Sequence, residues 1–287
     1  MPLQSSIKHS LKLARWQARR AAAALRWGPT ALAGAPAVLG DAMPKSGSHL
    51  IYQVLQGLAN IGPFVSPGFP PVNRTEDNTR LSESEILATI QRMRSGDIAY
   101  GYILAKEPYI SALTASGRAT IFVYRDPRDM IISHIFYATQ MYEGHWMHQY
   151  YTEKLHTMEE RVDAAIEGVQ EPGSELTPVR QRYAGYLGWL AQPAVLSQRF
   201  EDLILDRQAA FNRILDYLET RGYVPRVSRP QAVAALNQAI VPKKSGTFRK
   251  SKPGNWQEYF TDNNKAHFKE KAGDLLIELG YEQSYDW

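Results

Sequence analysis

Three groups of side chains in this sequence could hold a multiply charged anion. The first is Pro44-Lys45-Ser46-Gly47-Ser48, set between an apolar run and an apolar-periodic stretch. A strand feeding a helix through that turn would aim successive backbone N–H groups and the positive helix end at one spot. Gly47 lets the backbone come close, Lys45 adds a full charge, and Ser46, Ser48 and His49 add side-chain donors. This is not a Walker A loop, which needs Gly-x-x-x-x-Gly-Lys-Ser/Thr; here the lysine precedes the glycine and the loop is shorter. A turn can use the same residue types for structure alone.

The second group is Tyr124-Arg125-Asp126-Pro127-Arg128-Asp129, with Ser133 about two helical turns further on. An arginine fork grips a phosphate bidentately, and a serine hydroxyl can complete the site. Arg125 could instead pair with Asp126 or Asp129. The third group crowds Lys243, Lys244, Arg249, Lys250 and Lys252 beside Phe248 and Trp256, with Gly246, Pro253 and Gly254 keeping the loop open. Such a loop can close over a polyanion and stack an aromatic on its base, although a charge run can also be merely solvated.

These groups need strands and helices to position them. Ala37–Met43 and Thr120–Tyr124 are apolar enough for buried strands, Asp97–Leu104 reads as another, and Ala194–Phe200 as a fourth. Helices are expected at about Ile7–Trp27, Ser48–Asn60, Ser82–Arg94, Asp126–Tyr142, Val179–Leu190, Arg207–Arg221, Arg229–Ile240 and Asp262–Leu279. Ser82 with Glu85 forms a capping-box pattern, and Asp126 precedes Pro127 at a first helical position. Gly28–Pro36 reads as a link, 61–80 as loop and 143–176 as an irregular insertion. Strands alternating with helices imply a mostly parallel sheet with ligands beyond its carboxyl ends.

Composition narrows the classes. The chain has 287 residues, 44% hydrophobic and 22% charged, and no cysteine, which excludes disulfides, thiol catalysis and cysteine-bound metal. No apolar run is long enough to span a bilayer. Residues 1–40 carry Lys8, Lys12, Arg15, Arg19, Arg20 and Arg26 and no acid, so the rest of a chain of net charge +4 sums to −2. That argues against nucleic acid and leaves residues 1–27 as an exposed basic helix or a peripheral membrane contact. The division expected is a basic helix and linker over 1–36 and one catalytic domain over 37–287.

The three groups together resemble the sulfotransferases that use 3′-phosphoadenosine 5′-phosphosulfate (PAPS), of the cytosolic type and their bacterial relatives. Pro44-Lys45-Ser46-Gly47-Ser48-His49-Leu50 looks like the 5′-phosphosulfate loop, and Arg125 with Ser133 like the 3′-phosphate motif. Phe200-Glu201-Asp202-Leu203 is similar to the stretch after the family's fourth strand. Phe248-Arg249-Lys250-Ser251-Lys252-Pro253-Gly254-Asn255-Trp256 is similar to the segment near its carboxyl end. The resemblance spans about residues 37–280. It implies a P-loop-type three-layer α/β fold, with a central, mostly parallel sheet flanked by helices. It also implies PAPS as donor, adenosine 3′,5′-bisphosphate (PAP) as product, no metal, and Lys45 at the oxygen bridging phosphate and sulfate.

Two departures stand out. Tyr102 occupies the place of the family's usual histidine base, and Ser251 replaces a glycine. Only Thr261 survives of the short dimer motif that would fall on Gln257, Thr261, Asp262 and Ala266, so that dimer is not expected. His49, Tyr102 and Glu107 are therefore candidate bases, with His134, His145 and His148 as further ones. His49 could instead donate to a phosphate oxygen, and an amine acceptor would need no strong base. The aromatic segment Tyr137–Tyr151 is expected to line the pocket of a small polar acceptor such as a sugar, an alkaloid or another natural product. A cytoplasmic location is expected. Two other functions fit the residues less well: a P-loop phosphotransferase, and an inactive homologue that only binds PAP or PAPS.

Overall fold

The computed structural model describes residues 2–65, 71–75, 77–241 and 252–287, with side chains from position 11 onward except position 12. Four strands make one sheet: β1 (Ala37–Ala42), β2 (Ile98–Gly101), β3 (Arg118–Tyr124) and β4 (Val195–Arg199). Their order is β2-β1-β3-β4, and every pairing is parallel. All six residues of β1 are buried. Such continuous burial is what helices on both faces impose on a parallel sheet.

Alternation of side chains splits the core in two. Leu39 and Phe122 join Ile131, Ile135, Tyr183 and Trp189 on one face. Val38, Ile121 and Val123 join Ile51, Leu55, Phe211 and Leu236 on the other. The first face is covered by α6 (Pro127–Phe136), α7 (Met158–Glu167), α8 (Val179–Leu187) and α12 (Asp262–Glu278), and the second by α3 (Ser48–Ile61), α10 (Arg207–Thr220) and α11 (Arg229–Ala239). This is the three-layer arrangement expected.

The strand register positions the site. Ala42 pairs with Val123, so the chain leaves β1 into Met43–Gly47 beside the exit of β3 into Arg125. Tyr124 pairs with Arg199, which sets Phe200 next to Arg125. Asp41 pairs with Gly101, which sets Tyr102 on the other flank. Four neighbouring strand ends thus deliver Tyr102, Lys45, Arg125 and Phe200 in a row.

Several elements depart from the sequence expectations. The link after Trp27 holds a short helix (Pro29–Gly34) that packs Leu32 against Ala23 and Val65. The strand expected to Leu104 stops at Gly101, because the Tyr102 and Ile103 N–H groups donate to the Asn73 and Asp41 side chains rather than to a strand. The helix after Asp126 keeps α-geometry only to Phe136 and continues as a π-helical turn over Tyr137–Met141. Residues 143–176 are not simply irregular: a second π-helical turn (Tyr150–Lys154) precedes α7, which Thr157 and Glu160 start with a capping box. Short helices at Tyr109–Thr114 and Phe200–Leu205 were also not expected.

The basic start forms the helix Pro2–Trp27. It docks by one face: Trp16 Nε1 donates to Asp97 Oδ1 at 3.1 Å, and Arg20 Nη1 to the same oxygen at 3.0 Å. Thr261, left over from the dimer motif, caps α12 and donates to Glu159.

Candidate anion-binding site

The loop between β1 and α3 makes its turn with two residues in the left-handed region, Lys45 at φ 65° and Gly47 at φ 97°. At Gly47 no other residue fits, since a Cβ would stand 2.5 Å from Phe200 Cδ2. At Lys45, a residue with a Cβ, that conformation costs on the order of 1–2 kcal/mol, a kind of strain that concentrates at functional sites. No side chain caps α3, so its first-turn N–H groups face the loop unclaimed by a cap. The Ser46 hydroxyl is buried without a hydrogen-bond partner. Lys45 Nζ stands 3.7 Å above the centre of the Tyr137 ring. Burial, aided by the Arg125 charge, pulls this ammonium down to about 7.

Arg125 lies beside it. Its guanidinium rests 4.5 Å over the Phe200 ring, and Nη1 donates to the Lys45 carbonyl at 3.3 Å. Nε is buried without a partner, and the Asp129 carboxylate is 3.7 Å from Nη2. Asp129 is occupied elsewhere, accepting from the Gly254 and Trp256 N–H groups at 2.9 Å each. The pairing of Arg125 with Asp126 allowed by the sequence does not form. Asp126 caps α6 at the Arg128 N–H and takes the Arg128 guanidinium at 3.0 and 2.7 Å. Ser133 is half-buried on α6, and among the described residues no hydrogen bond engages its hydroxyl.

The remaining candidates divide. The Tyr102 hydroxyl donates to Ser48 Oγ at 2.8 Å, tying the end of β2 to the start of α3. Burial raises that phenol, and the bond to Ser48 offsets only part of the effect. His49 is exposed on the first turn of α3, and its pKa is lowered by surrounding protein first and Lys45 second. Glu107 is exposed, and one of its carboxylate oxygens accepts from the Ser111 N–H at 3.3 Å in the first turn of a short helix. Phe200 is 5% exposed, wedged between Gly47 and Arg125, so it supports the site by packing. Phe248, Arg249, Lys250 and Ser251 lie outside the described residues. Trp256, read as a partner for a base, is buried and stacked on Arg128 at 4.0 Å, a structural role.

Two contacts escaped the sequence reading. Tyr137, expected only as part of an acceptor pocket, covers Lys45, and its position one turn past Ser133 could have revealed this, since residues four apart share a helix face. Asp129 fastens residues 254–256 to α6, a contact with no local signature. Among the described residues no cluster has the makeup of a metal site, and no helix is long and apolar enough to cross a membrane.

Known proteins match this architecture. A sulfotransferase domain model matches residues 110–280. The crystal structure of a mouse sulfotransferase, SULT7A1, complexed with PAP superposes with a TM-score of 0.56 at 14% identity, covering 86% of this chain and 88% of that one. A retinol dehydratase in complex with androsterone and inactive cofactor PAP gives 0.55 at 15% identity, covering 84% and 80%. At such identities the likeness speaks for the fold. No curated protein sequence matches. With well over half of its length matched by the domain model, the chain belongs to the sulfotransferase family.

Proposed function

We propose that the row of strand ends binds PAPS and transfers its sulfuryl group to a hydroxyl or amine of a small polar acceptor. The observation that carries this is the pair Lys45 and Arg125. Both cations stand at adjacent strand ends. Lys45 is lowered by burial and by its cationic neighbour, with no carboxylate acting on it among the described residues. Arg125 Nε and Ser46 Oγ are buried and unpartnered. Buried polar atoms are rarely left so, and an anion with several oxygens would satisfy them together. The fit holds on this chain's own atoms.

In this reading Ser46, Gly47, Ser48 and His49 hold the 5′-phosphosulfate at the helix start, and Arg125 with Ser133 reads the 3′-phosphate. Phe248, Arg249, Lys250 and Ser251 would close over the nucleotide. When bound, PAPS supplies a sulfuryl group on a phosphate leaving group. Lys45 keeps a proton on Nζ and meets the charge growing on the leaving oxygen, which is positioning and electrostatic catalysis. An anion beside Lys45 favours its charged form and reverses the lowering that burial causes. Tyr137 keeps water off that ammonium. Glu107, committed as a helix cap, takes no part.

The acceptor class rests on Tyr137–Tyr151, whose rings gather beside Lys45 and suit a ring-bearing polar molecule, a sugar, an alkaloid or another natural product. We assign the reaction to the cytoplasm, and any membrane contact to the face of the basic N-terminal helix turned away from Asp97. The test is turnover of sulfur-35 PAPS against a panel of hydroxyl and amine acceptors. Transfer to a member supports the reading. ATP turnover would favour a phosphotransferase, and tight PAP binding with no transfer would favour an inactive homologue.

A further inference from the structure

If PAPS binds as described, the acceptor's proton must go somewhere, and the three leading bases suggested by the sequence are poorly placed to take it. Tyr102 has its hydroxyl committed to Ser48, Glu107 caps a helix, and His49 sits on the exposed face of α3. One further imidazole, also offered by the sequence, is buried with a ring nitrogen that no hydrogen bond claims. We propose that His134 is the catalytic base of this enzyme, accepting the proton of the acceptor's nucleophile.

His134 follows Ser133 on α6 and is 6% exposed. Its Nε2 is buried without a partner. The ring meets His145 edge-on at 5.1 Å, Tyr151 at 5.8 Å and Trp146 at 6.1 Å. A contiguous path leads there from the sulfuryl site: Lys45 Nζ lies over Tyr137, Tyr137 meets His145 edge-on at 5.6 Å, and His145 meets His134. The charged and titratable groups acting on His134 are Arg182 from α8, His145 from the following segment and Lys45 from the loop, with no carboxylate among them. Burial first, then these cations, hold it well below the usual histidine range, so it is neutral at physiological pH and keeps a lone pair.

His145 is not equivalent. It is also held low, at about 4, by burial, Lys45 and His148. However, it stacks on Trp146 at 3.9 Å, and its Nδ1 accepts from the Met147 N–H at 3.2 Å. That bond leaves its proton on Nε2, so His145 has no free lone pair to serve as the base, and its ring packs edge-on against His134. The Trp146 ring, 6.1 Å from that of His134, is 55% exposed, so the route we propose for the acceptor to Nε2 runs past that ring or through one water. As the acceptor atom bonds to sulfur, its proton passes to His134 Nε2. The electron pair of the broken sulfur–oxygen bond stays on the phosphate oxygen facing Lys45. Negative charge beside Lys45 offsets the cations that weaken His134, so its basicity rises when the donor is in place.

Two measurements test this. In nitrogen-15 histidine spectra, His134 should read as neutral with an unprotonated nitrogen at neutral pH, and PAP should shift its titration upward. Then His134→Gln and His134→Phe should bind PAP as the wild type does, with kcat at pH 7 lowered about 10²–10⁴-fold and the acidic limb of the kcat profile removed. His145→Ala should lower kcat less. The assignment is overturned if either His134 variant binds PAP and keeps kcat within threefold, or if His49→Ala removes that limb instead. Should both variants fail to fold, the spectra decide: a His134 protonated at neutral pH, or unmoved by PAP, overturns it. Wild-type protein that does not bind PAP at all would refute the nucleotide reading rather than this one.

Discussion

Arg125 and Arg128 stand three residues apart on one strand-to-helix turn, both buried, and they live in opposite surroundings. Arg128 is neutralised: Asp126 holds it bidentately, the Glu282 carboxylate pairs with Nη1 at 2.7 Å by charge though without hydrogen-bond geometry, and the Trp256 and Trp287 rings flank it at 4.0 and 4.5 Å. Arg125 has a bare Nε, a carboxylate at 3.7 Å that is shared with two backbone N–H groups, and a second cation next door. The same residue type thus serves two ends. One guanidinium ties the last residues of the chain to α6, and the other is left short of anions at the strand ends.

The largest effect that would sharpen this contrast is on catalysis. Lys45→Ala should leave the fold intact and lower kcat on the order of 10²–10³-fold or more, the usual loss when a group stabilising transition-state charge is removed. Near-normal kcat would remove Lys45 from the leaving oxygen.

Next come the two arginines. Arg128→Ala should cost about 3–5 kcal/mol of stability, because it leaves Asp126 buried and unpaired, seen as a lower urea midpoint. Arg125→Ala should leave that midpoint nearly unchanged and weaken PAP binding by about 2–5 kcal/mol. Exchanged phenotypes would break the comparison outright.

The pH dependence of PAP affinity is smaller and has a definite sign. Burial and Arg125 lower Lys45 to about 7 in the free protein. Below that value the ammonium is already charged and binding needs no extra proton. Above it, binding must take one up, so Kd should rise with pH by up to about tenfold per unit. The nucleotide's phosphates have lost their second protons by then, and Lys45→Ala should flatten the slope.

The smallest expected effect is Tyr102→Phe, which removes one hydrogen bond to Ser48. It should cost about 0.5–1.5 kcal/mol, read mainly as a higher KM for the donor. A loss of kcat as large as that of Lys45→Ala would make Tyr102 catalytic.

Local signals carried much of this into the sequence. Pro127 after Asp126, the Ser82–Glu85 box and the apolar runs Ala37–Ala42 and Thr120–Tyr124 marked elements whose causes lie within a few residues. The Lys45–Ser48 turn was legible for the same reason, as its Lys, Ser and Gly act through the turn they make. What stayed hidden depends on distant partners. Nothing near Asp129 announces that it tethers Gly254 and Trp256, and nothing near Glu107 says that it caps a helix beyond a proline. The segment 143–176 looked irregular because its aromatic and histidine side chains masked the Thr157–Glu160 cap. His134 could be named but not ranked, since its free Nε2 is a fact of packing.

The account rests on Arg125, with Ser133, reading a 3′-phosphate that a simple nucleotide lacks. Isothermal titration of the protein with PAP and with adenosine 5′-monophosphate tests this most directly. Binding of PAP at least a hundredfold tighter, with that preference lost in Arg125→Ala, is the predicted result. Equal affinities for the two nucleotides would contradict it.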